Sequence, residues 1–344
     1  MSYDVIIVGA GPAGLACAKQ TAARGLSTLV FERRQLIGKK VCGGGITWNG
    51  LIKRIPKSLH ERSFPQQHIF TRFQKTTVLS PTPIIATVNR IKLGEYMAKE
   101  AVSVGAEIMN GCRVVKIDGS KSLYYFDKKN RKTKKVTFKY LVGADGSSSM
   151  VRRFLKIPVT SAGIGINYQL EGNFKDMQWH LLPHLFGSGY GWVFPHKNSI
   201  SVGAYVSRGV LKASTLDKNL HRLATKIGIS LDNQKASAEL INYDFRGYRF
   251  DNIFLAGDAS GLASGLTGEG IYSAIVSGET IGRILSNLNF VSEEFNRIIK
   301  NNALHKKLVS FAGKNNIVAT LLSESVSAAL RMKIIPFSAV EMSR

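Results

Sequence analysis

The sequence is poor in acid. It holds 23 Asp and Glu against 47 Lys and Arg, a formal net charge of +24 over 344 residues. A field of that sign attracts polyanions, anionic lipid surfaces or phosphorylated substrates; it says nothing of the fold. Cysteine is scarce as well. Cys17, Cys42 and Cys112 are odd in number and widely spaced, which excludes a disulfide framework and points to a reducing compartment. No run of 18 apolar residues exists, so no membrane-spanning helix is expected. The start, MSYDVIIVGAG, has neither a basic leader nor a cleavage site and is not read as a signal peptide. Internal repeats and long low-complexity stretches are missing too. The densest basic run, KKNRKTKK at 128–135, lies between the strand-like LYYF and VTF and is expected to be a solvated hairpin turn. These features place the chain in the cytoplasm or on the inner face of a membrane.

What is present begins at residue 4. DVIIVGAGPAG is a short apolar strand, as in the centre of a parallel sheet, followed by Gly9, Gly11 and Gly14 and a helix from Pro12. Gly9 permits the tight turn, Gly11 lets the backbone approach a pyrophosphate, and Gly14 lets the helix lie close on the strand. The helix start offers unpaired N–H groups to phosphate. A second strand, LSTLVFE, ends in Glu32, placed to accept hydrogen bonds from a ribose diol. Further on, NIFLAGDASGLASGLTGEGI at 252–271 is a strand ending at Asp258, a glycine-rich turn, and a helix starting near Gly268. An acid there suits the ribityl hydroxyls of a flavin, and a helix start at Gly268–Ile271 suits its pyrimidine side. The dinucleotide is therefore expected to be FAD. YLVGADGSSSMVRR repeats the strand-to-acid pattern at Asp145, with serines suited to capping a helix. Arg90 precedes another helix and either reaches the cofactor or caps that helix. There is no second G-x-G-x-x-G, so no separate nicotinamide domain is expected.

Residues 162–245 read mainly as strands. Tyr190, Trp192 and Phe194 share one strand face and form an apolar wall suited to a prenyl chain or an aromatic ring. His180 and His184 are four apart, but Pro183 interrupts the helix that metal binding would need, so no metal is expected. The tail from 303 mixes apolar and basic residues, as in helices covering the core or resting on anionic lipid. The stretch GKKVCGGGIT at 38–47 sets a thiol beside three glycines, which belong where a backbone passes very close to something.

Taken together, the Glu32-paired glycine motif, GADG at 143–146, and AGDASG with GEGI resemble the FAD-dependent hydroxylase superfamily, of the p-hydroxybenzoate hydroxylase type. VCGGGI at 41–46 and GYGWVFP at 189–195 resemble its geranylgeranyl reductase family, over roughly residues 3–285. The resemblance implies an α/β fold: a glutathione-reductase-type Rossmann FAD-binding domain with an inserted antiparallel β-sheet and C-terminal helices. The expected division is 1–65, 89–160 and 245–285 for FAD, 66–88 and 161–244 for substrate, and 286–344 for the helical end. It implies FAD contacts from Gly9, Gly11, Pro12, Ala13, Gly14, Glu32, Arg33, Arg90, Val114, Asp258, Gly268, Gly270 and Ile271. Cys42, Gly43 and Gly44 would border the isoalloxazine, and Gly45, Tyr190, Trp192 and Phe194 the substrate.

The implied reaction reduces carbon–carbon double bonds of an isoprenoid, with NAD(P)H or a small redox protein as electron donor. A flavin monooxygenase is the alternative on the same fold. Thiols have a pKa of about 8.5 and keep their proton at neutral pH, so Cys42 is the candidate proton donor, against a packing role. Cys17 and Cys112 are expected to be packing residues. The intact flavin motifs argue against a nucleic-acid partner, while peripheral contact with anionic membrane is expected. The family often continues F-P with Lys-Gly, whereas His196, Lys197 and Asn198 follow here.

Overall fold

The structure is a computed structural model that describes residues 2–40, 42–47, 52 and 54–342. The strands are β1 Ser2–Val8, β2 Thr28–Glu32, β3 Gly45–Thr47, β4 His60–Phe64, β5 Gln66–Phe70, β6 Lys75–Leu79, β7 Ile85–Val88, β8 Glu107–Asn110, β9 Cys112–Asp118, β10 Ser122–Asp127, β11 Lys132–Gly143, β12 Ala162–Glu171, β13 Gln178–His180, β14 Tyr190–Pro195, β15 Ser199–Ser207, β16 Ser237–Asn242, β17 Arg249–Phe250 and β18 Ile253–Leu255. The helices are α1 Pro12–Ala22, α2 Arg90–Ser103, α3 Met150–Phe154, α4 Pro183–Phe186, α5 Ala213–Lys226, α6 Ile271–Ser286, α7 Glu293–Ala312 and α8 Asn316–Arg331.

The first sheet runs β17-β18-β11-β1-β2-β8, with parallel pairing from β18 through to β8. Successive side chains of β1 point to opposite faces, and both faces are covered. Val5 and Ile7 meet α1 and α6, while Ile6 and Val8 join Phe31, Val114 and Leu123 beneath the antiparallel β9 and β10. This two-sided burial is why β1 reads as an unbroken apolar run. Cys17 and Cys112 are buried in these two layers, as expected. The basic run is split between a turn at 128–131 and the exposed start of β11; Asp127 Oδ1 fixes that turn by accepting from the N–H groups of Lys129 and Asn130.

The second sheet runs β16-β12-β15-β14-β13-β5-β6 and is antiparallel except where β13 meets β5. Its two faces differ. Val193, Val202 and Tyr168 pack under Leu216, Leu220 and Leu223 of α5, a helix the strand-like reading of this region had not included. Trp192, Phe194 and Tyr205 take the other face. A third sheet, β3-β7-β4, was not anticipated; it ties the end of the glycine loop to β7, which leads into α2. Among the described residues no helix is long and apolar enough to cross a membrane.

Candidate functional site

Two cavities meet inside the molecule, sharing Pro12, Lys40, Arg90, Glu239, Asp258 and Ala274 as common wall. The larger, about 580 Å³, lies over the carboxyl ends of the parallel strands. At Gly9 the backbone takes φ +105°, and a Cβ there would lie 2.4 Å from the Ala144 carbonyl oxygen. A Cβ on Gly14 would lie 1.9 Å from the Gly9 oxygen, so helix and strand touch backbone to backbone. Gly11 has nothing within 4 Å of its Cβ position and lines the cavity. Glu32 closes the far end, its two oxygens accepting from Ala10 N at 3.0 Å and Arg34 N at 2.9 Å. Arg33 and Val114 line the same end.

Asp258 stands where the cavities join. Lys40 Nζ is 2.7 Å from its Oδ2, and Ser147 Oγ donates to the same oxygen at 3.2 Å. Asn89, not Arg90, caps α2, accepting from Ile91 N and Lys92 N. Arg90 faces both cavities instead, and its Nε and Nη1 are buried without a hydrogen-bond partner. Buried guanidinium nitrogens call for an acceptor. The open Gly11 cradle, the α1 start and these orphaned donors together fit an anionic dinucleotide. Asp145 lines the larger cavity, but its carboxylate accepts from Ser149 Oγ and Met150 N at the start of α3, and burial raises its pKa above the ordinary range. Ser149 caps α3 as expected, accepting from Arg152 N.

The smaller cavity, about 180 Å³, is walled by rings. Tyr190, Trp192 and Phe194 follow one another at centroid spacings of 5.9 and 6.0 Å. Two further rings complete the wall: Tyr205 lies opposite Tyr190 in the β14–β15 register, and Trp179 opposite Trp192 in β13–β14. Sequence reading missed both, since their partners come from neighbouring strands. Phe337 stacks on Trp179 at 5.3 Å, bringing the chain's far end against this wall.

Gly268, Gly270 and Ile271 form the cavity's floor at the start of α6, where no side chain caps the helix. Glu269, also lining it, accepts from Thr47 Oγ1 at 3.1 Å and Met342 N at 3.4 Å; burial raises its carboxyl pKa against the lowering effect of those bonds. Burial, with Glu269 and Cys42 nearby, also raises the phenol of Tyr190, which donates to the Thr267 carbonyl.

The glycine triplet passes close to the aromatic strand. A Cβ on Gly43 would lie 3.0 Å from Phe194 and Trp192, and one on Gly45 2.8 Å from Phe194. At Gly44 (φ +74°) the obstacle is His196, at 2.6 Å. His196 is buried and clamps the loop: Nδ1 is 2.5 Å from Glu61 Oε2 and Nε2 is 3.0 Å from the Gly43 oxygen. The ring thus lies between two acceptors, the Glu61 carboxylate and the Gly43 carbonyl. Cys42 lines the cavity, its Sγ accepting from Gly44 N at 3.4 Å; Val41 lies outside the described residues. His180 is elsewhere, stacked on Phe70 at 4.7 Å, with burial lowering its pKa to about 4.

The sequence profile of the FAD binding domain family matches residues 2–288. The chain is 28% identical over 307 residues to digeranylgeranylglycerophospholipid reductase 3 of Methanosphaera stadtmanae, covering 82% of this chain and 76% of that one. It is 26% identical over 302 residues to geranylgeranyl diphosphate reductase of Rhodobacter capsulatus, covering 81% and 73%. In fold it is similar to a geranylgeranyl bacteriochlorophyll reductase-like protein of Thermoplasma acidophilum, with a TM-score of 0.81, 20% identity, and 99% and 97% of the two chains covered.

Proposed function

Since the chain belongs to the FAD binding domain family, we propose that it is an FAD-dependent oxidoreductase that saturates carbon–carbon double bonds of a geranylgeranyl-type isoprenoid. The observation that carries the substrate reading is the five-ring wall of the smaller cavity, opening through Lys40, Arg90 and Asp258 onto the dinucleotide cavity. Burial of an isoprenoid chain is worth about 0.8 kcal/mol per CH₂, and relatives of this chain carry names of such reductases.

In this reading the glutathione-reductase-type domain is assembled from 1–65, 89–160 and 245–285, the substrate region from 66–88 and 161–244, with β7 at 85–88 joining β3 and β4 in the third sheet, and the helical end from 286–344. Gly9, Gly11, Pro12, Ala13 and Gly14 hold the pyrophosphate at the α1 start. The Glu32 oxygens keep lone pairs for a ribose diol, with Arg33 and Val114 beside them. Arg90 supplies its orphaned donors, Asp258 accepts from ribityl hydroxyls, and Gly268, Gly270 and Ile271 present the α6 start. Cys42, Gly43 and Gly44 border the reacting face, while Gly45, Tyr190, Trp192 and Phe194 hold the chain.

Bound and reduced, FAD would supply hydride chemistry at this site. The alkene also takes a proton, and Cys42 is the group we assign to give it. The enclosing rings keep water from that step. In this reading electrons come from NAD(P)H or a small redox protein, and the protein works in the cytoplasm, at the inner face of the membrane.

The test is anaerobic incubation of dithionite-reduced protein with geranylgeranyl lipids, read by mass spectrometry. Two hydrogens gained per double bond is the expected result. Oxygen insertion requiring O₂ and NADPH, with no saturation, would establish a monooxygenase instead. Cys42→Ala is expected to slow saturation while retaining FAD; unchanged turnover would reduce Cys42 to packing.

A further inference from the structure

The outer face of α7 has no part in the chemistry above. Its inner face is Phe295, Ile298, Asn302, His305 and Val309, all buried and spaced by three or four residues. Asn302 and His305 fasten the helix to the loop behind the cavities: Asn302 Nδ2 donates to the oxygens of Gly261 and Ala263, and a ring nitrogen of His305 is 2.8 Å from Ser264 Oγ. On the opposite side Lys300, Leu304, Lys307, Leu308, Phe311 and Lys314 form one exposed stripe, cations alternating with large apolar groups. After the turn, α8 begins with two more exposed apolar residues, Ile317 and Leu321, 72% and 63% exposed.

This is a concentration and not a scatter. Among the described residues, nine of the fifteen large apolar side chains that are exposed lie between Leu288 and Ile334. Such clustering marks an interaction surface. Charge selects the partner. From Phe295 to Val340 the sequence has seven Lys and Arg and one acid, Glu324. That acid is spent internally, accepting from Thr71 Oγ1, Phe73 N and Gln74 Nε2. A second copy would bring the same cations to a self-complementary contact. An anionic bilayer complements both parts, with phosphates for the lysines and the acyl boundary for Leu308 and Phe311.

We propose that the outer face of α7, with the start of α8, docks on an anionic lipid surface. The proposal goes beyond the reduction reading and stands if that reading fails. Because α7 is fastened to residues 261–264, docking also fixes how the cavities sit relative to the lipid.

The test uses the full FAD-loaded chain and vesicles of phosphatidylcholine, alone or mixed with phosphatidylglycerol, in co-sedimentation. Binding is expected only to the mixed vesicles and is expected to weaken as salt rises. Lys300→Glu with Lys307→Glu and Lys314→Glu is expected to weaken it about tenfold or more. Leu308→Ser with Phe311→Ser should also weaken it, both variants keeping FAD content and melting temperature. Equal binding to the two vesicle types, or wild-type binding by either variant, overturns the proposal. So does a dimer that the Leu308→Ser, Phe311→Ser protein no longer forms, or an RNA complex at physiological salt that the charge reversals abolish.

Discussion

The two cavities share a wall but are built by opposite means. The larger is made of backbone and charge: a glycine turn, a helix start, and arginines among four acids. Its main parts are short local motifs at the ends of adjacent parallel strands, so their positions follow from sheet geometry. The smaller is made of ring volume. Its walls come from five neighbouring strands, β12 to β16, with the glycine loop, the α6 start and Glu341. The first should tolerate side-chain change except where backbones touch. The second should respond to every change of volume.

The strongest way to break the first region is Gly14→Val, since the new Cβ meets the Gly9 oxygen. A loss of about 3 kcal/mol or more is expected, with no FAD retained, read by thermal unfolding and flavin absorbance. Next comes the seam behind the two regions. Asp244 is fully buried, with Lys306 Nζ at 2.7 Å, Arg246 Nε at 3.1 Å and Arg152 at 3.8 Å. Burial alone would raise its pKa, but Lys306, Thr160 and Arg246 outweigh burial and bring it to about 2. The folded value lies below the ordinary carboxylate value of about 3.9. Its stabilisation is therefore complete above about pH 4 and is lost as pH falls through 2. Asp244→Asn is expected to cost about 3 kcal/mol at neutral pH and to flatten the acid limb of the stability curve.

A milder change sharpens the second region. Phe194→Leu removes one ring contact, worth about 1 kcal/mol. KM for an isoprenoid should rise about fivefold with FAD content unchanged. The smallest effect separates two variants at one position. Gln at 196 places a donor near the Gly43 oxygen, whereas Asn places one near Glu61. His196→Gln should keep kcat/KM about fivefold above His196→Asn, the value of one neutral hydrogen bond. Equal values would show that the ring does not register the loop through Gly43.

The same contrast explains what the sequence made legible. The strand, glycine turn, helix and Glu32 could be read because each sits within thirty residues of the next and each follows a local rule. Tyr190, Trp192 and Phe194 could be placed on one face because strand periodicity is local as well. Lys40 could not, because its partner Asp258 is 218 residues away. His196 was visible only as a departure from the family pattern; Glu61, 135 residues earlier, is what gives it meaning. The glycine triplet signalled a close approach but not to what, since Phe194 and His196 reach it only through the packing of β14 against the loop. The third sheet left little signal, since β3 is only three residues long and β4, HERSF, is mostly polar.

The strand order of the first sheet sets a schedule for assembly. β1 is made first, yet it sits between β2 and β11, and β11 in turn pairs with β18 at Ile253–Leu255. A nascent chain thus carries an apolar strand whose neighbour on one side is more than a hundred residues from synthesis. Pairing over such separations is slow and leaves strand edges open to aggregation. The glycine turn at Gly9 is braced by Ala144 and shares its cavity with Asp258, so that cavity is complete only after most of the polypeptide exists. Loading of the flavin is consequently a late event in biogenesis. A supply of free FAD during expression should raise the yield of folded protein by trapping the final state, without hastening the steps before it.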